Sequence, residues 1–202
     1  MIILITRPLY DKTTHYLFYW SEKLITEANR WSSVYDITKK RVNRKTVESF
    51  LQKKKPQLVI FNGHGNASLM TGHDNEVIIS AQNAGLLSGK VIYMRACDSG
   101  RELGPTLMNA GAKSFIGYSE SFMFPYDTDK VGRPVEDEIA KPCLECSNQV
   151  GLGLIQGMTA REAHETSLQM FKDKIDELSI SKVAPYNIWF LQWNMLNQVC
   201  YE

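Results

Sequence analysis

A histidine set between two glycines and a cysteine that follows the next apolar run are the residues of this 202-residue sequence best placed to do chemistry. The run QLVIFN passes directly into Gly63, His64 and Gly65, and the run KVIYMR ends in Ala96, Cys97, Asp98, Ser99 and Gly100. If the two runs are adjacent parallel strands, both groups emerge at the carboxyl edge of one sheet, where α/β proteins place their sites. A thiol near neutral pH is mostly protonated, whereas its thiolate is the nucleophile, so a histidine within reach supplies the missing base. The same imidazole can then protonate a departing amine. Glycine on either side of His64 permits close backbone approach, and the amides of Gly65 and Cys97 are the expected oxyanion donors. Taken singly, a cysteine at a strand end is commonly a small buried hydrophobe and a glycine-flanked histidine a turn residue. Two such turns at one sheet edge favour the chemical reading.

The elements that must position these residues follow from hydrophobic period. Short β-branched runs alternate with helical patterns, which predicts an α/β fold with a mostly parallel sheet of about six strands. Strands are expected over 2–6, 33–37, 57–62, 90–95, 113–118 and 187–193, and helices over 14–29, 44–54, 81–87, 101–110, 149–156 and 159–178. Asn43 and Thr159 stand at capping positions, the latter with Glu162 at capping-box spacing. A small hairpin is expected near 66–80, and a long polar segment covers 126–148. One domain over 1–202 is the expectation for this length.

Composition narrows the partners. Lys and Arg total 23 against 22 Asp and Glu, a net charge of +1, so no field gathers nucleic acid or acidic lipid. No apolar run reaches the length of a signal core or membrane span. Four cysteines at irregular positions fit a reducing compartment, and a cytoplasmic location is expected. Cys143 and Cys146 form half of a zinc site at most, so no metal and no cofactor is expected.

The segments FNGHG and VIYMRACDSG, with His64 preceding Cys97 by 33 residues, resemble the His-Gly and Ala-Cys-x-Ser-Gly blocks of caspase-like (clan CD) cysteine peptidases. That group includes caspases, metacaspases, legumains, gingipains, separases and CHAT domains. LGPTLMNAGAKSFIGYSES and GMTAREAHETSLQMF extend the resemblance over about 57–172, nearest in pattern to CHAT-domain and gingipain-like members. The resemblance implies a caspase-haemoglobinase-like αβα sandwich, a Cys–His dyad without an essential third member, a protein or peptide substrate, and a regulatory protein partner. It also places Arg95, two positions before the cysteine, in the pocket for the residue preceding the cut, where a guanidinium would suit an acidic side chain. Glu120, just after the next strand, could neutralise Arg95 or offer its own charge to a basic residue.

Two other readings of the sequence compete with an endopeptidase. Amidotransferase-type hydrolases also set a cysteine on a strand-to-helix elbow, but their histidine follows the cysteine, and here the plausible one precedes it. A non-catalytic interaction domain would keep the core and dispense with the site, which sits poorly with His64, Cys97 and both glycines being intact.

Overall fold

In the computed structural model, which describes residues 1–181 and 186–202, six strands form the central sheet in the order β2-β1-β3-β6-β7-β8. These are β1 (Ile2–Arg7), β2 (Ser33–Thr38), β3 (Leu58–Asn62), β6 (Val91–Arg95), β7 (Ser114–Tyr118) and β8 (Gln198–Tyr201). All neighbours run parallel except β7 and β8, which pair antiparallel. A separate two-stranded antiparallel sheet, β4 (Leu69–Thr71) and β5 (Val77–Ser80), lies between β3 and β6 in the chain.

The apolar strand runs are continuous because both sheet faces are covered. Ile3, Ile5, Leu58, Ile60, Tyr93 and Ile116 point into one core, and Leu4, Val59, Phe61, Ile92, Met94 and Phe115 into the other. This is the two-residue alternation of pleated strands. The first core is closed by α1 (Lys12–Trp20), α2 (Glu22–Trp31), α5 (Lys141–Ile155) and α6 (Ala160–Ser181); the second by α3 (Arg44–Lys54), α4 (Leu103–Asn109) and the 3₁₀ segment Ala81–Leu87. Asn43 caps α3 by accepting from the Thr46 amide at 2.9 Å. In the Thr159–Glu162 box the Glu162 carboxylate accepts from the Thr159 amide at 2.8 Å.

Three elements differ from the sequence expectation. The predicted helix over 14–29 is two helices, interrupted at Ser21, whose hydroxyl donates to the Leu17 carbonyl at 2.7 Å. Residues 187–193, expected as a strand, belong to helix α7 (Tyr186–Asn197), and β8 follows it. The aromatic run NIWFLQW mimics a strand because two of the positions α7 buries, Asn187 and Asn194, are polar, and only Leu191 between them is apolar. Helix α5 begins at Lys141, well before residue 149, with Pro142 in its first turn, where a missing N–H costs nothing. Cys143 and Cys146 lie on its buried face against Phe171 and Leu191, and burial pushes both thiols up, Cys143 to about 12. They act as core residues.

Candidate active site

Strands β3 and β6 are neighbours in register, with Asn62 opposite Arg95, so the turns after each strand start level. His64 and Cys97 each lie two positions beyond that pair, at the carboxyl edge of the sheet. The β4 strand folds back along the first turn: the Thr71 amide donates to the His64 carbonyl at 2.9 Å. This explains the glycines. A Cβ at Gly63 would lie 2.3 Å from the Thr71 carbonyl oxygen, and one at Gly65 would lie 2.9 Å from that of Leu69, 3.0 Å from Ala96 Cβ and 3.3 Å from the Cys97 carbonyl oxygen. The Gly65 and Cys97 backbones are therefore in near contact. Among the described residues neither the Gly65 amide nor the Cys97 amide donates to a backbone carbonyl, and the Cys97 amide leans only toward its own sulfur. We expect Gly65→Ala to cost about 1–3 kcal/mol through overpacking and to depress turnover by more than that loss of folded protein accounts for; parallel denaturation curves and peptide assays separate the two.

The turn after β6 is an elbow. Asp98 adopts a left-handed conformation at φ 56°, its amide donating to the Glu120 carbonyl at 3.2 Å, and the Gly100 amide donates to the Tyr118 carbonyl at 2.8 Å. Two hydrogen bonds from β6's turn to the end of β7 hold the bend in a region that L-residues adopt at a cost. Burial pushes the Cys97 thiol above its ordinary value, opposed in part by the Phe122 backbone and the Ser121 side chain. Residues 121–123, which flank the sulfur, are fastened from outside by α7: Trp193 Nε1 donates to the Ser121 carbonyl at 2.8 Å, while Asn194 both accepts from the Met123 amide at 3.0 Å and donates to its carbonyl at 2.6 Å. The segment misread as a strand thus supports the surroundings of Cys97.

His64 is partly exposed and its Nε2 lies 2.6 Å from Asp11 Oδ2. The Tyr10 ring stands edge-on to the imidazole with centroids 6.1 Å apart. In this resting arrangement no hydrogen bond joins His64 to Cys97, and the forces on the thiol come from burial and from residues 121, 122 and 98. Asp11 escaped the sequence reading because it lies 53 residues before His64; the local signal was only that of a helix cap, Asp-x-x-Thr before an apolar helix.

Arg95 is not where the resemblance put it. Its side chain is fully buried and directed into the helical layer: Nε donates to Asn62 Oδ1 at 2.7 Å, Nη1 to Asn148 Oδ1 at 2.6 Å and Nη2 to Ser21 Oγ at 2.6 Å. A guanidinium so enclosed cannot meet a substrate side chain. Glu120 forms no ion pair with it among the described residues and is partly exposed at the rim of the elbow. Two clefts open nearby. One of about 430 Å³ is lined by Leu9, Tyr10, Asp11, Lys12, His15, Val131 and Gly132, the other of about 210 Å³ by Lys12, Thr13, Phe122, Met123, Phe124, Tyr126 and Phe190. Lys12 lines both, and one borders the residue that holds His64 while the other borders the residues beside Cys97.

The six-stranded, mostly parallel sheet with helices on both faces is the caspase-like fold. No family model and no curated protein matches the sequence. Among solved structures the chain is similar to separase in a crystal structure of the Saccharomyces cerevisiae separase–securin complex at 3.0 Å, with a TM-score of 0.57 and 13% identity. The match covers 99% of this chain and 11% of the separase chain, and at that identity the likeness is one of fold. Among the described residues no helix is long and apolar enough to cross a membrane.

Proposed function

We propose that this protein is a cysteine endopeptidase in which Cys97 attacks the scissile carbonyl and His64 manages the proton. The observation that carries the reading is the register of β3 against β6, which brings the His64 and Cys97 turns side by side at one sheet edge on a caspase-like fold. Thiolate attack forms a tetrahedral oxyanion, for which the uncommitted Gly65 and Cys97 amides are the donors. Protonation of the departing amine by the imidazolium breaks the C–N bond, and water then hydrolyses the thioester.

The resting thiol is held protonated by burial and is not bonded to His64. The site therefore needs a rearrangement, made by substrate or by a regulatory protein, that brings His64 and Cys97 within hydrogen-bond reach before it turns over. That the separase neighbour was solved with a bound protein is consistent with such a partner. The compartment that suits this chemistry is a reducing one, such as the cytoplasm.

The burial of Arg95 removes the basis for an acidic residue before the cut, and the partly exposed carboxylates of Asp98 and Glu120 border the elbow. We accordingly favour a basic residue at that position. A fluorogenic peptide panel varying only this residue is expected to show lysine and arginine substrates turned over about tenfold or more faster than aspartate ones, with the margin shrinking in Glu120→Gln. Faster cleavage after aspartate or glutamate would overturn this preference. A non-catalytic role on the same fold would leave every peptide uncut even with a binding partner present.

A further inference from the structure

We propose that Asp11 is the third member of this site, a positioning residue that fixes the orientation and tautomer of His64. The inference rests on the peptidase reading of His64 and Cys97 and extends it, because the resemblance on its own implied a dyad.

Asp11 is the N-cap of α1, and its two carboxylate oxygens are divided between two tasks. Oδ1 accepts from the Thr14 amide and the Thr14 hydroxyl, each at 2.8 Å, and the hydroxyl in turn accepts from the Asp11 amide at 3.1 Å. Thr14 is fully buried, so this box fixes the carboxylate's rotamer. Oδ2 is then left aimed at His64 Nε2, 2.6 Å away. Burial alone would raise the Asp11 carboxyl, but the Thr14 amide, the Thr14 hydroxyl and His64 together hold it below its ordinary value, so it is ionised at neutral pH. An ionised carboxylate only accepts, which puts the ring proton on Nε2 and makes Nδ1 the basic nitrogen. Nδ1 has no hydrogen-bond partner among the described residues.

Once His64 and Cys97 are brought within reach of each other, this tautomer defines the proton path. Nδ1 takes the proton from the Cys97 thiol, the resulting imidazolium is stabilised by Asp11 through Nε2–H, and Nδ1–H later delivers the same proton to the leaving amine. Tyr10 limits the ring's other freedom by packing edge-on against it, its own hydroxyl donating to Asn75 Oδ1 at 2.8 Å. One residue thus links the start of helix α1 to the geometry of the imidazole.

Asp11→Ser separates the two tasks. Serine caps a helix about as well as aspartate but its hydroxyl stops short of the imidazole. We expect an unfolding midpoint close to that of the natural protein, KM little changed and kcat lowered by about 10- to 100-fold, the usual effect of removing a group that orients a ligand or base. Nitrogen-15 NMR of His64 is expected to change from a single Nε2–H tautomer to a mixture of tautomers, whereas Asp11→Asn, whose oxygen stays on the Thr14 cap and whose amide NH2 then faces the ring as a donor, is expected to move the proton to Nδ1 and to lower kcat at least as far. A kcat for Asp11→Ser within twofold of the natural value, or a nitrogen pattern that does not change, overturns the proposal. If the natural protein cleaves no peptide and takes no label on Cys97, it is the peptidase reading that falls, while the nitrogen pattern still decides whether Asp11 sets the tautomer.

Discussion

Cys97→Ala is expected to lower peptide turnover by at least about a thousandfold while leaving the fold in place. Removing a nucleophile that acts as a unit with its base abolishes the covalent path and leaves only what the oxyanion donors and binding contribute. His64→Ala should cost nearly as much, and the double variant little more than either, because each is useless to the covalent route without the other. The structural effect is small: the sulfur is partly buried, makes no side-chain ion pair, and alanine fits the same elbow. Purified variants compared for kcat/KM and for denaturation midpoint test both halves. Equal losses of activity and stability would instead assign Cys97 to the core.

Arg95→Ala is expected to destabilise the protein by about 3–5 kcal/mol, through buried acceptors left unpaired and the cavity left by the side chain. Three acceptors, on Asn62, Asn148 and Ser21, lose their donor at once, and a cavity opens between the sheet and helices α1, α2 and α5. The three partners also explain why an enclosed cation is tolerated without a carboxylate: each offers a neutral oxygen that accepts a short hydrogen bond from the guanidinium. Because Asn62 and Arg95 stand two residues before His64 and Cys97, the same network keeps the His64 and Cys97 turns level. Arg95→Met, which fills the volume without the charge, should cost less than Arg95→Ala, measured by chemical denaturation. A variant with natural stability but altered preference for the residue before the cut would restore Arg95 to the substrate pocket.

The parts of this architecture that could be read from sequence are those where local chemistry and tertiary role agree. Strands β3 and β6 are apolar on both faces because both faces are covered, and their ends are marked by Gly63, Gly65 and Gly100, each needed where backbone or side chains crowd in. Helix α3 carries its own cap in Asn43, so its bounds are legible residue by residue. What escaped were elements whose buried positions are polar. Helix α7 buries Asn187 and Asn194 because their side chains fasten other segments, Ile139 in one case and Met123 in the other, and a hydrophobic period cannot report that. Arg95 was misplaced for a related reason: its position relative to Cys97 was legible, but the direction of its side chain depends on Ser21 and Asn148, 74 and 53 residues away. The Asp11 contact with His64 is equally non-local, hidden behind an ordinary capping sequence.

The pairing of sulfur and imidazole can be tested in one measurement, peptide mapping after treatment with a basic peptidyl acyloxymethyl ketone, which labels a thiolate that has an oriented acid beside it. The account predicts a single adduct on Cys97, absent from Cys143, Cys146 and Cys200 and lost in His64→Ala. Label appearing on Cys97 at the same rate without His64, or on Cys200 in its place, would contradict it.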